Sequence, residues 1–354
     1  MVARSIDPAA RKQALQQWLA ATLGDRPHLS PCGGDAGGRR YYTLAENPDW
    51  LAVDAPPCSE DTRQFVSIAQ CLSAGGVRVP AIYHVDEDNG FLLVENLGRQ
   101  LLAGAVGQAG AASWYPRALD ALSQMAQLPT NSVYLPIFDA AFIVRELGIF
   151  RHWFVEQLLG VHINEAIAQK LDRLDAALAQ SALRQPQVFM HRDYHSRNLL
   201  LTDREIAVID FQDAVVGPLT YDLVSLLKDC YLVLPQAQVT TWALNYKKQA
   251  ESLGLLKPIS NEAFIQAFDW MGLQRHIKVL GIFARLHLRD AKSGYLADLP
   301  RVLSYVRQIL AQYPEFASIQ QWFEQDLMPI CRQQSWYQPA DDNNPFTSVQ
   351  GPVQ

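Results

Sequence analysis

The sequence predicts an α+β protein of two lobes, a small β-rich N-terminal lobe and a larger helical C-terminal lobe. Three observations carry this. Short apolar strands bounded by Gly, Pro and Asn crowd the first hundred residues. From about Ser113 onward, apolar residues recur mainly at helical spacing. One hairpin pattern, residues 188–210, interrupts that helical half. The expected boundaries are 1–97 for the first lobe, 98–335 for the second, and a flexible tail at 336–354 whose Pro, Asp, Asn and Gly show little periodicity.

Asp7-Pro8 reads as an N-cap followed by proline at the first helical position, with Leu15, Trp18, Leu19 and Leu23 forming the apolar stripe and Gly24 closing the helix. Residues 32–40, Cys-Gly-Gly-Asp-Ala-Gly-Gly-Arg-Arg, read as a hairpin turn entering a strand at Tyr41–Leu44. Trp50-Leu51-Ala52-Val53 is a short apolar strand stopped by Pro56-Pro57. Ser59 is the expected cap of a helix with Phe65, Ile68 and Leu72 on its apolar face, ending at Gly75-Gly76. Residues 82–85 and 91–94 bracket a turn ending in Asn89-Gly90, a hairpin signal. Farther on, Val188-Phe189-Met190 leads into a polar loop at 191–198, and residues 199–201 and 206–210 form the hairpin.

At 354 residues, 49% of them hydrophobic and 19% charged, the chain has enough apolar side chains for a sizeable core in one two-lobed domain or two ordinary ones. A net charge of −6 argues against a nucleic-acid partner, because a phosphate backbone demands cations. The five cysteines are odd in number and lack C-x-x-C spacing, which disfavours a disulfide framework or a zinc site. The N-terminus has no apolar signal core, and no apolar run reaches the roughly 18 residues a bilayer requires. The expectation is a cytoplasmic monomer that does not enter a membrane.

The chemistry is concentrated in residues 191–198, which fit H-R-D-x-x-x-x-N, and in Asp210-Phe211-Gln212 at the far end of the hairpin. Phosphoryl transfer needs little covalent help from a protein; it needs a hydroxyl held in line and cations on the phosphates. Asp193 suits a base that accepts the hydroxyl proton. Asn198 and Asp210 offer hard oxygens to Mg²⁺, and the hairpin between them brings its two ends together. An acidic surface loop beside a plain hairpin is the alternative, but the full set of H-R-D, Asn five residues on and a strand-borne Asp-Phe is specific. The glycine-rich stretch, Gly34, Asp35 and Ala36 with Arg39 and Arg40, is the candidate nucleotide loop, since glycines let backbone N–H groups approach phosphate closely. It fits neither the Walker A nor the G-x-G-x-x-G pattern.

These motifs, with Asp213, Gly217-Pro218 and residues 221–227, resemble the aminoglycoside phosphotransferase and choline kinase superfamily, a branch of the protein-kinase-like fold. Residues 34–41, 53–57 and 269–276 are similar, more narrowly, to the bacterial N-acetylmuramate/N-acetylglucosamine kinases of peptidoglycan recycling. The resemblance spans about residues 10 to 335. It implies use of ATP and Mg²⁺, a small amino-sugar substrate, and phosphorylation of the anomeric hydroxyl to a sugar 1-phosphate. It implies that Asp222 braces the catalytic loop, that His191 is scaffold, and that adenine bonds the backbone of a hinge around Glu95 to Leu97. One departure stands out: kinases of this fold carry a lysine on the third strand, yet no lysine lies between Lys12 and Lys170, and Asp54 stands near the expected position. Arg39 or Arg40 is the candidate replacement, since a guanidinium can fork two phosphate oxygens.

For the acceptor, a sugar pocket wants hydrogen-bonding groups and an aromatic wall. Arg145 and Glu146, with Phe150, Trp153 and Phe154 on the same helix, form one candidate set. Trp270 with Gln274 and Arg275 forms the other. Core packing is the competing account of each aromatic. Arg145 or Arg275 would meet a carboxylate on the substrate. The rival functions are a kinase for an aminoglycoside or choline, and a non-catalytic kinase-like scaffold.

Overall fold

The computed structural model describes residues 7–34, 38–105, 111–203 and 205–338. Asp35, Ala36 and the tail from residue 339 lie outside these. The chain divides into two compact units. One holds the residues up to Gln100 together with Leu199–Gln212; the other holds Leu101–Asn198 and the chain from Asp213 on. The α+β, two-lobed architecture expected from the sequence is present.

In the first unit, helix α1 (Pro8–Leu23) starts where Asp7 accepts a hydrogen bond from the Ala9 N–H at 3.0 Å and stops at Gly24. It precedes β1 (Leu29–Gly34), β2 (Arg40–Leu44) and β3 (Trp50–Asp54), and then α2 (Thr62–Ala74), β4 (Ile82–Asp86) and β5 (Phe91–Glu95). The strands make one antiparallel sheet in the order β1-β2-β3-β5-β4.

Strand β5 explains why its sequence is an unbroken apolar run. Phe91 and Leu93 face Leu15 and Leu19 of α1, whereas Leu92 and Val94 face Val66 of α2 on the other side. Each such side chain, fully buried, contributes about 1.5–3 kcal/mol. The Asn89-Gly90 turn is as expected, and Gly90 is required twice. Its φ is +71°, and a Cβ there would lie 1.9 Å from the Ala55 carbonyl oxygen. The cap of α2 differs from expectation. Asp61, not Ser59, accepts from the Gln64 N–H, while the Ser59 hydroxyl turns back to the Pro56 carbonyl. A carboxylate one residue before the helix outcompetes a hydroxyl held in the preceding proline turn.

The hairpin of β7 (Leu199–Leu201) and β8 (Ile206–Val208) groups with this unit rather than with the helical one. Leu201 N–H bonds the Gln100 carbonyl, and Val208 N–H bonds the Arg78 carbonyl.

In the second unit, α3 (Leu102–Ala105), α4 (Ala111–Ala126), α5 (Ala140–Ile149) and α6 (Glu165–Leu183) precede β6 (Gln187–Met190), which pairs with β9 (Val215–Pro218). Then come α7 (Tyr221–Leu227), α8 (Gln236–Ser252), α9 (Asn261–Leu288) and α10 (Leu299–Gln312). Helix α9 is buried almost all round from Phe264 to Ala284, as a central helix must be. At Gly281 it comes so close to the π-helical segment Phe150–Leu158 that a Cβ would sit 2.5 Å from the Phe150 nitrogen.

Candidate active site

The loop after β6 is pinned at three points. Asp222, in the first turn of α7, accepts the backbone N–H of His191 at 2.6 Å and of Arg192 at 3.0 Å. This is the bracing role that the sequence resemblance implied. The ring Nδ1 of His191, fully buried, accepts the Asp193 N–H at 3.2 Å. Farther along, Asp229 accepts the Ser196 N–H at 2.9 Å. Arg192 sits at φ +76°, one of three non-glycine residues with positive φ among those described; Asp210 is another, at +65°. Such strain persists only where surrounding bonds over-determine it, and it concentrates at functional sites.

These bonds present Asp193 to a small cavity of about 80 Å³. Burial pushes the Asp193 carboxyl up, but the charges of Lys278, His195, Arg275 and Arg192 outweigh it and hold its pKa near about 2. Asp193 is therefore a carboxylate at any ordinary pH. Tyr221, Arg275 and Lys278 supply the cavity's other polar surface with His195, while Tyr231, Val279, Ile282 and Phe283 make its apolar side. Residues 275, 278, 279 and 282 are one stripe of α9 at the i, i+3, i+4, i+7 spacing of a single helical face.

Behind Asp193 lies a buried ionic cluster. Glu146 on α5 takes Arg192 at 2.9 Å and Lys278 at 2.7 Å, and Gln274 donates to its other oxygen at 3.2 Å. Lys278 also donates to the Tyr221 hydroxyl at 3.1 Å. Burial raises the Glu146 pKa, but its two cations more than offset this and lower it.

The predicted acceptor residues thus separate. Arg275 lines the cavity. Glu146 and Gln274 stand behind it, bonded to each other, and Glu146 also holds the cations Arg192 and Lys278. Arg145 is exposed and lies over the Phe142 ring, outside the cavity lining. Trp270 packs on Phe316 and Tyr313, also outside it. Phe150 and Phe154 are buried against each other, and Trp153 meets His152. Phe150 and Phe154 are core, none of the predicted aromatics lines the cavity, and Tyr231 and Phe283 are the aromatics that do. Sequence reasoning missed Lys278, Tyr221, Tyr231, Phe283 and Asp229. Only Lys278 left a signal: a lysine inside the apolar run Ile277 to Leu280.

Two oxygen ligands suit Mg²⁺, which keeps waters and phosphate oxygens for its remaining positions. In the second unit, the Asn198 side-chain N–H₂ donates to the Asp193 carbonyl at 3.0 Å, so its oxygen is the end suited to a cation. In the first unit, Asp210 accepts from the Gln212 amide at 2.7 Å, and Phe211 stacks on Phe65 of α2 at 4.9 Å. Among the described residues, no group of three or more His, Cys, Asp and Glu gathers around a metal position.

The third-strand position is built around a charge reversal. Asp54, fully buried at the end of β3, bonds Arg11 of α1 and, at 2.9 Å, Arg40, its cross-strand neighbour on β2. Arg11 donates onward to the Asn89 carbonyl at 2.7 Å. Arg39 is buried, paired with Glu60 at 2.8 Å and set over the Phe65 ring; Glu60 also accepts the Gly38 N–H. Arg40 is the more accessible of the two arginines, with 36% of its side chain exposed. Gly34 ends β1 opposite Arg40. At the end of β5, Glu95 forms an ion pair with Arg78, its N–H bonds the Ala81 carbonyl, and Leu97 is half-buried.

Four similarities bear on family and fold. Over 322 residues the chain is 41% identical to an N-acetylmuramate/N-acetylglucosamine kinase of Pseudomonas aeruginosa, covering 88% of this chain and 95% of that one. Its fold matches an ethanolamine kinase of Plasmodium vivax at TM-score 0.62 and 12% identity, over 90% of this chain and 93% of the other. It also matches the ADP-bound aminoglycoside phosphotransferase APH(2'')-Ib at TM-score 0.55 and 12% identity, over 84% and 98%. The family model for the phosphotransferase enzyme family matches residues 28–259, a span that includes the pinned loop, Asn198 and Asp210, and the chain belongs to that family.

Proposed function

We propose that this phosphotransferase moves the γ-phosphoryl group of ATP to the anomeric hydroxyl of N-acetylmuramate and N-acetylglucosamine, giving the sugar 1-phosphate in cell-wall recycling. The observation that carries this reading is the cationic surround of Asp193. Lys278, His195, Arg275 and Arg192 act on Asp193 strongly enough to outweigh its burial, and three of the four line the acceptor cavity. An aminoglycoside polycation or a quaternary choline is repelled there. A neutral or anionic sugar is not, and the apolar Tyr231 and Phe283 suit a sugar ring face. The name of the Pseudomonas relative supports the same substrates.

In this reading the Asp193 carboxylate accepts a hydrogen bond from the hydroxyl and aims its oxygen. The new bond joins that oxygen to phosphorus, the bond from phosphorus to the ADP oxygen breaks, and the proton passes to Asp193 late. A carboxylate with a pKa near 2 is a weak base. It fits the anomeric hydroxyl, which the ring oxygen makes the most acidic on the sugar. Asn198 and Asp210 are the proposed Mg²⁺ ligands; bound Mg²⁺ would neutralise phosphate charge. Nucleotide contacts are assigned to the loop of Gly34, Asp35 and Ala36, to Arg40 with Arg39, and to the backbone from Glu95 to Leu97.

The test is ADP release in the presence of Mg²⁺ with a panel of acceptors. Release with both amino sugars and none with choline or kanamycin is expected. Turnover of kanamycin or choline in preference to the sugars would overturn the assignment.

A further inference from the structure

We propose that Arg275 is the residue that recognises a carboxylate on the acceptor, so that the site is built for an anionic sugar and favours N-acetylmuramate over N-acetylglucosamine. This rests on the amino-sugar reading above and names a specificity determinant within it.

The argument starts from an imbalance. Arg192 and Lys278 each have a carboxylate partner in Glu146. Arg275 makes no ion pair among the described residues, although only 3% of it is exposed; Asp193 and Asp229 act on it through charge without a hydrogen bond. Its one hydrogen bond runs from Nη1 to the Cys230 sulfur at 3.4 Å, and its buried Nε has no partner at all. A thiol is a weak acceptor, and burial keeps that of Cys230 neutral, with its pKa pushed up to about 11. It leaves the guanidinium without a hydrogen-bonded anion. Burying an ion with its donors unmet is expensive, and a structure retains such a group where a ligand completes it.

The missing partner has a chemistry and a place. A guanidinium presents a planar fork of N–H donors that matches the two oxygens of a carboxylate. Arg275 and Asp193 line the same small cavity, so a ligand whose hydroxyl meets Asp193 places another of its groups at Arg275. Of the two sugars in the relative's name, N-acetylmuramate carries a lactyl carboxylate on the ring, and N-acetylglucosamine has only a hydroxyl there. The first supplies that anion; the second leaves Arg275 bonded to the thiol alone.

The experiment compares kcat/KM for the two sugars in the wild-type protein, in Arg275→Gln and in Arg275→Lys, and adds the methyl ester of N-acetylmuramate as a substrate for the wild type. A charge-assisted bidentate bond corresponds to a preference of about tenfold or more. The wild type is expected to favour the free acid by at least that factor, with the ester reduced to the level of N-acetylglucosamine. Arg275→Gln is expected to lose the preference mainly through KM for the acid, and Arg275→Lys to restore part of it. The ester needs no variant, so its result stands even if Arg275→Gln fails to fold. Equal use of acid and ester by the wild type, or an equal loss on both sugars in Arg275→Gln, overturns the inference while leaving the amino-sugar reading intact. Failure of the wild type to turn over either sugar overturns the reading itself.

Discussion

Each unit of the molecule contains a buried carboxylate bridging two cations, and the two clusters stand in different surroundings. In the first unit, Asp54 joins Arg11 and Arg40, stitching α1 to the β2–β3 pair at the position where this fold was expected to carry a lysine. In the second, Glu146 joins Arg192 and Lys278, stitching α5, the loop after β6 and α9 together beside Asp193. Both clusters keep one net positive charge. The Asp54 cluster reaches solvent through Arg40, whereas Lys278 opens on the enclosed cavity. The difference lies in surroundings: each cation is held by a partner carboxylate, one at the surface and one at a cavity, and the proposed nucleotide and acceptor roles follow that division.

The largest effect expected is at the group the second cluster surrounds. Asp193→Asn should lower kcat by about 10²- to 10⁴-fold while ATP still stabilises the protein in the presence of Mg²⁺. Retained turnover would remove Asp193 from the reaction. Because its pKa lies near 2, kcat should show no protonation of Asp193 between roughly pH 5 and 8. The comparison itself is broken or sharpened by Glu146→Gln and Asp54→Asn, each removing the shared carboxylate charge. Glu146→Gln leaves two buried cations without their counter-ion and should cost about 3 kcal/mol in urea unfolding, with a raised KM for the sugar. Asp54→Asn should cost less, about 1–2 kcal/mol, because Arg40 is partly solvated, and should raise KM for ATP rather than for the sugar. If both variants perturb the same substrate's KM, the two clusters do not have separate duties.

Much of this was legible in order of locality. The hairpin at Asn89-Gly90, the all-apolar β5 and the loop at 191–198 each depend on neighbours in sequence, and each formed as read. The pairing of Glu146 with Lys278 was not legible, because the partners are far apart in sequence and meet only when α5 packs on α9. The same holds for Arg39, whose fixed partner Glu60 lies beyond two strands. The aromatic walls were misplaced for a related reason: spacing marks Phe150 and Phe154 as facing one way, but a core and a pocket give the same periodicity. Charge isolated in an apolar run, as at Lys278, was the better guide to the cavity.

The central claim concerns which oxygen receives the phosphoryl group, and the product's proton and phosphorus NMR spectra read that directly. The account predicts an anomeric proton split by phosphorus, from N-acetylmuramate and from N-acetylglucosamine alike. Phosphorus coupled instead to the C6 protons, or to no sugar proton, would contradict it.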